Sequence, residues 1–160
     1  MGSWNTFLEA QVGASAALTG LVFVALSINL ASIIEAPQLV HRAAEALVVL
    51  VSPVLIGLGV LAPASSLRSI GVTVLVLAGI AAAIVNLLLV RGRVHARGRP
   101  VREFRVRVIG AELAVLPAVV GSVMLIANSR SGLRAVALGA VFSIAAGMID
   151  AWVLLVEILR

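Results

Sequence analysis

Long uncharged stretches recur along the 160-residue chain and set its organisation. The first stretch, from Ala10 to Ile34, holds 25 residues without a charge. At about 1.5 Å per residue, a helix of this length crosses a hydrocarbon core about 30 Å thick. The pattern predicts five such spans, over residues 10–34, 46–67, 69–90, 108–129 and 135–155. We therefore predict an all-α polytopic membrane protein with five transmembrane helices.

The composition agrees with a membrane protein. Hydrophobic residues make up 62% of the chain and charged residues 12%, with a mean hydropathy of +1.19. Soluble domains carry about 45–50% apolar and about 25% charged residues. Period-two alternation is absent, which disfavours a β-barrel. Residues 1–160 are therefore predicted to form a single transmembrane domain, and the absence of cysteine excludes disulfides and thiolate chemistry.

Arginine placement predicts the orientation in the membrane. Seven of the twelve basic residues lie in the loop 91–107, namely Arg91, Arg93, Arg97, Arg99, Arg102, Arg105 and Arg107. Short cytoplasmic loops are enriched in positive charge, so the N-terminus is predicted outside and the C-terminus in the cytoplasm. The same arginines could contact anionic lipid headgroups. All basic residues are arginine, which favours a bacterial plasma membrane protein, and the clustering between spans disfavours a nucleic acid partner.

Each predicted span carries a polar side chain near its cytoplasmic end. These residues lie roughly 7–10 Å inside the predicted boundary: Asn29, Ser52, Asn86, Glu112 and Asp150. Polar groups within a span are costly, usually face the bundle interior and commonly mark a functional site. One interpretation is therefore a proton, ion or small-solute site. The alternative is structural, with each group bonded to a neighbouring helix or reaching the interface.

The first span carries two sets of regularly spaced residues. A mainly polar stripe follows helical spacing through Gln11, Ser15, Thr19, Val22 and Leu26. Small residues four apart, which let helices approach closely, form the pairs Gly13–Ala17 and Ala16–Gly20. The stripe predicts either a tight helix–helix contact or the lining of a pore with a hydrophobic constriction.

Catalytic and cofactor motifs are absent from the sequence. It contains no HExxH, no P-loop, no GxSxG and no histidine–carboxylate set with metal-ligand spacing. We therefore expect no enzyme activity, no cofactor and no metal.

The block GASAALTGLVFVALSINL, with Gly13, Ala16, Thr19, Gly20 and Asn29 among its main residues, resembles the first helix of an uncharacterised family of small bacterial integral membrane proteins. That resemblance implies a membrane location and no activity. Ser15–Leu26 is also similar to the first helix of Orai calcium channels. The acidic filter residue expected shortly afterwards is missing, so no calcium selectivity is implied.

Two functions fit these observations. The first is a homo-oligomer that forms an ion or small-solute pathway, because five helices enclose too little volume for a pore in one copy. The second is a non-catalytic interaction protein that binds or regulates another membrane protein through the small residues of the first span.

Overall fold

The fold is all-helical over the part of the chain that the computed structural model describes, residues 2–63, 66–95 and 101–158. Six helices follow in order: α1 Gly2–Ile28, α2 Leu30–Glu35, α3 Pro37–Leu61, α4 Leu67–His95, α5 Val101–Ile126 and α6 Gly132–Ile158. Five of them are long and apolar enough to cross a membrane: Trp4–Ile28, Leu39–Leu61, Leu67–Arg91, Val108–Ile126 and Gly132–Glu157. The predicted helical class and the number of spanning helices are thereby confirmed. This is the architecture of a multi-pass membrane protein.

Helices α3, α4, α5 and α6 pack in a ring, each against the next, with α6 closing the ring on α3. Helix α1 lies outside this four-helix bundle and packs mainly against α3. We call the end that carries residues 91–107 the arginine end, and the end with the α3–α4 connection the hairpin end. α3 and α5 begin at the arginine end, whereas α1, α4 and α6 finish there.

Aliphatic side chains fill the bundle interior. Towards the arginine end, Val49, Val85, Leu89 and Val115 form one buried cluster. Towards the hairpin end a second cluster contains Ile56, Val74, Ala78, Ala118, Leu125 and Val136. Large apolar side chains also cover the outside, including Leu21, Ile28, Ile149 and Trp152. An apolar exterior of this kind is suited to lipid rather than water.

Two span boundaries differ from the sequence prediction. The first predicted span, 10–34, is interrupted at Asn29, whose side-chain amide donates to the carbonyl of Ala25 at 2.9 Å. α1 ends one residue before Asn29, and α2 begins one residue after it. The second predicted span begins at residue 46, whereas α3 begins at Pro37, a residue favoured in a helix's first turn. The helix therefore includes Arg42 and Glu45, which the sequence prediction places in a loop before the second span.

The predicted loop 91–107 is mostly helical, since α4 continues to His95 and α5 begins at Val101. At the opposite end α5 stops at Ile126. Asn128 there has a φ of 61°, a left-handed conformation that asparagine tolerates. The amide of Ser129 then donates to the carbonyl of Met124 at 2.9 Å, closing a Schellman-type cap.

Glycines mark the places where the helices come closest. A Cβ added to Gly71 of α4 would lie 2.7 Å from the backbone nitrogen of Ile126 in α5. A Cβ on Gly147 of α6 would lie 2.6 Å from Cγ of Leu50 in α3. By contrast, an added Cβ at Gly79 would meet nothing within 4 Å. Small residues at contact points are how membrane helices approach without a hydrophobic driving force.

We predict that Gly71→Ala destabilises the bundle by about 1–3 kcal/mol, because the added methyl group must displace the α5 backbone. Gly79→Ala, on the same helix, should be neutral or slightly stabilising since its methyl group meets no neighbour and alanine favours the helix. Thermal unfolding in a mild detergent, followed by circular dichroism, measures both. Equal melting temperatures for the two variants would contradict this close α4–α5 contact.

Candidate functional site

A polar seam joins α1 to α3. Gln11 Nε2 donates to the carbonyl oxygen of Pro53 at 3.0 Å, and Thr19 Oγ1 donates to the carbonyl oxygen of Leu50 at 3.1 Å. Between them Ser15 is completely buried, and its hydroxyl donates to the backbone carbonyl of Gln11 at 2.8 Å. The seam therefore places two side-chain donors of α1 on backbone carbonyls of α3.

The seam is centred on a proline. Pro53 has no amide hydrogen, so the carbonyl of Val49 loses its usual partner in the helix. The hydroxyl of Ser52 donates to that carbonyl at 3.0 Å. Thr19 adds a donor to the neighbouring carbonyl of Leu50, three residues before the proline. Side-chain donors of this kind supply what a membrane proline removes.

The other spanning proline has a similar environment. Pro117 lies inside α5, and the hydroxyl of Ser143 in α6 donates to the carbonyl of Ala114 at 2.9 Å. Ala114 stands three residues before Pro117, as Leu50 does before Pro53. In both helices, therefore, a hydroxyl from a neighbouring helix donates to the carbonyl three residues before the proline.

The stripe predicted on the first span lies in contacts within one chain. Gln11, Ser15 and Thr19 form the seam with α3. Val22 packs beside a buried cluster that contains Leu26, Ile33, Leu39, Ala43 and Leu154. Of the two interpretations of the stripe, this position corresponds to helix packing, since it leaves these side chains facing the bundle rather than an open channel.

The small residues of α1 face the other way. We call Gly13, Ala16, Ala17 and Gly20 the small-residue face, and all four are exposed. A Cβ added at Gly13 or Gly20 would meet nothing within 4 Å. Beside this face an open apolar groove of about 410 Å³ runs between α1 and α3, lined by Ala16, Thr19, Gly20, Phe23, Leu47, Val51 and Val54.

The five predicted intramembrane polar residues do not share one environment. Ser52 is buried, whereas Asn86 is exposed and donates to the carbonyl of Ala82 in its own helix at 3.0 Å. Asn29, half-buried, likewise donates within its own helix. Glu112 and Asp150 are both half-buried.

Sequence reasoning missed the charged group that is most deeply buried among the described side chains. Glu45 is 1% exposed and lies inside the spanning part of α3. One turn nearer the arginine end, Arg42 forms an ion pair with Glu157 of α6. The available signal was hydropathy, because residues 39–61 qualify by length and composition as one spanning helix although they include both charges. A helix rather than a loop was therefore already indicated there.

The α3–α6 contact fixes the order of the charged groups. The ion pair Arg42–Glu157 lies at the arginine end, and Leu50 meets Gly147 about two turns further into the bundle. Antiparallel packing then places Glu45 between these two contacts, at the level of Leu154, which is completely buried. Asp150 lies on α6 one turn further in than Leu154. Three carboxylates and one arginine therefore occupy this end of the α3–α6 interface.

Of the seven arginines predicted to contact lipid headgroups, Arg91 is exposed at the end of α4. The other six, Arg93, Arg97, Arg99, Arg102, Arg105 and Arg107, lie outside the described side chains. Across the described part of the chain, no three histidine, aspartate or glutamate side chains are grouped so as to hold a metal ion.

Comparisons of the chain with protein-family models, with curated proteins and with solved structures found no match. The resemblances of the first helix therefore stay predictions. Function has to be inferred from the chain's own residues.

We predict that Thr19→Val weakens the attachment of α1 to α3 by about 0.6 kcal/mol, the average for a hydrogen bond between membrane helices. The change keeps the side-chain shape and removes the hydroxyl, whose one hydrogen is shared between the carbonyls of Leu50 at 3.1 Å and Ser15 at 2.7 Å. Ser27→Ala is the matched control, because the Ser27 hydroxyl donates at 2.8 Å to the carbonyl of Phe23 in its own helix. Hydrogen exchange of the α1 amides measures the effect. Equal exchange in the two variants would contradict a stabilising seam.

Proposed function

We propose that the protein is a non-catalytic integral membrane protein that forms homo-oligomers through the small-residue face of α1. Its arginine end lies in the cytoplasm of a bacterial cell, as the clustering of arginine favours. The observation that carries the proposal is the open space around Gly13 and Gly20. These glycines lie seven residues apart on a helix that packs mainly on one neighbour.

Glycine inside a helix costs about 1 kcal/mol relative to alanine, and a close contact with a neighbouring helix can offset this cost. At Gly71 and Gly147 that contact is visible as close approach to a neighbouring helix. Gly13 and Gly20 have no such neighbour within the described chain, although a Gly-xxx-Ala and an Ala-xxx-Gly pair share their face. A helix from outside the chain would supply the missing contact.

A second copy is the partner that this face fits. Two α1 helices crossing at Gly13 and Gly20 would each offer the same small side chains, as a two-fold symmetric contact requires. α1 also has the lowest buried share of the five spanning helices, 17% against 44% for α3. Its outer surface is therefore available without unpacking the bundle.

We predict that Gly13→Leu together with Gly20→Leu weakens self-association at least about tenfold, equivalent to 1.4 kcal/mol. The leucines would separate the two helices, and a Cβ at either position meets nothing within 4 Å in its own chain. Energy transfer between copies in liposomes measures association, with dyes on a cysteine introduced at Ser66. This site is exposed, and the chain has no cysteine of its own.

Gly79→Leu is the matched control, since Gly79 is equally open but lies on α4. Wild-type protein and this control should show the same energy transfer. Wild-type protein that is monomeric at every protein-to-lipid ratio would overturn the proposal. Loss of a different membrane protein from the purified complex in the double variant would instead assign the face to that partner.

A pathway for ions or small solutes is the second candidate, and the burial of Glu45 favours it. Ionisable groups inside membrane bundles commonly serve proton relays and ion pathways. Glu45 lies deep in α3, and Asp150 lies on α6 at the same end of the bundle. Aliphatic side chains fill the bundle interior, so such a pathway requires either rearrangement of one copy or a passage between copies.

We predict that purified protein in liposomes passes protons or monovalent cations, and that Glu45→Gln, Glu112→Gln or Asp150→Asn lowers the flux severalfold by removing a charge from the membrane region. Glu9→Gln, which alters an exposed carboxylate near the start of α1, is the control and should leave the flux unchanged. Vesicles that stay tight to all common ions would eliminate the pathway while leaving self-association intact.

A further inference from the structure

The α3–α6 interface carries a second feature, which is independent of the face of α1. At the arginine end this interface contains the ion pair between Arg42 and Glu157, whose side chains are 11% and 25% exposed. One turn further into the bundle Glu45 is 1% exposed. The ion pair therefore lies between a buried carboxylate and the nearest end of the bundle.

Arg42 is within reach of two carboxylates. Glu157 faces it across the interface, and Glu45 follows it by three residues on the same helix, a spacing that brings side chains together. A guanidinium group has five N–H donors in one plane, so it can donate hydrogen bonds to both carboxylates. Because Arg42 pairs with Glu157 of α6 and is close to Glu45 along α3, separation of the two helix ends would also change the surroundings of the Glu45 carboxylate.

We propose that the Arg42–Glu157 ion pair is a latch that holds the ends of α3 and α6 closed over Glu45. When the pair opens, the ends of the two helices separate and water enters past this carboxylate as far as Val49, one turn further in. The close contact between Leu50 and Gly147 limits the opening, because the aliphatic packing beyond it is undisturbed. The latch is thus a local device at one end of the bundle.

The absence of cysteine allows a direct test, since one introduced thiol reports the entry of water without background. Val49 is the site, because it is 2% exposed and lies one turn beyond Glu45. Val49→Cys is placed in the full chain in lipid nanodiscs, whose two faces are both accessible, and a small water-soluble thiol reagent is added. The labelling rate is compared with and without Glu157→Gln.

We expect slow labelling of Val49→Cys alone and an increase of at least about tenfold with Glu157→Gln, since loss of one partner from a partly buried pair favours local opening. Arg42→Gln should act in the same direction. Arg42→Lys, which keeps the positive charge, should retain more protection than Arg42→Gln. This order distinguishes an ionic latch from a general effect of altering position 42.

Val74→Cys is the control for global loosening, because Val74 is completely buried in the cluster towards the hairpin end. Its labelling should stay slow in every variant. Equal rates for Val49→Cys with and without Glu157→Gln would overturn the latch. A parallel increase at positions 49 and 74 would also overturn it, because the ion pair would then stabilise the whole bundle rather than close one end.

Discussion

Inside a membrane every backbone carbonyl needs a donor from the protein, and Pro53 removes one at the centre of α3. Side chains of α1 and α3 donate hydrogen bonds around this position. Ser52 donates to the carbonyl left without its amide, and Thr19 and Gln11 of α1 donate to the carbonyls of Leu50 and Pro53. α1 is therefore attached to α3 beside Pro53. There the backbone hydrogen-bond ladder of α3 is interrupted, so additional donors stabilise the helix most.

That constraint also decides which way α1 faces. With its polar side chains directed at α3, the helix must turn its small residues outward, since the two sets occupy different faces. The orientation of α1 that allows its hydrogen bonds to the α3 carbonyls therefore leaves Gly13 and Gly20 exposed. The polar groups and the small residues, which the sequence presents together, have separate roles: one set holds the helix within its chain, and the other is available to a second chain.

Length and hydropathy were sufficient to predict five spanning helices, because lipid permits few alternatives to a helix. The span boundaries were less accurate wherever a side-chain contact overrides hydropathy. α1 ends just before Asn29, inside an uncharged stretch that hydropathy assigns to one span. Conversely, Arg42 is paired with Glu157, so a helix continues through charges that suggested a loop. The pairing of Arg42 is not visible without knowing which helices are neighbours.

The candidate site was harder to predict for the same reason. A common depth does not assign faces, and Asn86 is exposed whereas Ser52 is buried. Glu45 was overlooked because it stood one residue before the predicted span. Its burial depends on how α3 packs against its neighbouring helices, which no local pattern records. The depth of a residue in the membrane can be predicted from the sequence of its own helix. Its exposure depends on how several helices pack together.

Helix α3 connects the two features that carry functional proposals. Thr19 and Gln11 hold α1 against its middle, and Arg42 joins its first turns to α6. Pro53 separates the segment that begins at the arginine end from the rest of the helix, so the two parts of α3 lack one continuous hydrogen-bond ladder. A contact made by α1 with a second chain would act on α3 beside this proline. An effect of assembly could reach the ion pair along α3 through Glu45, and also directly, because Leu26 of α1 shares a buried cluster with Ala43 and Leu154 beside the pair.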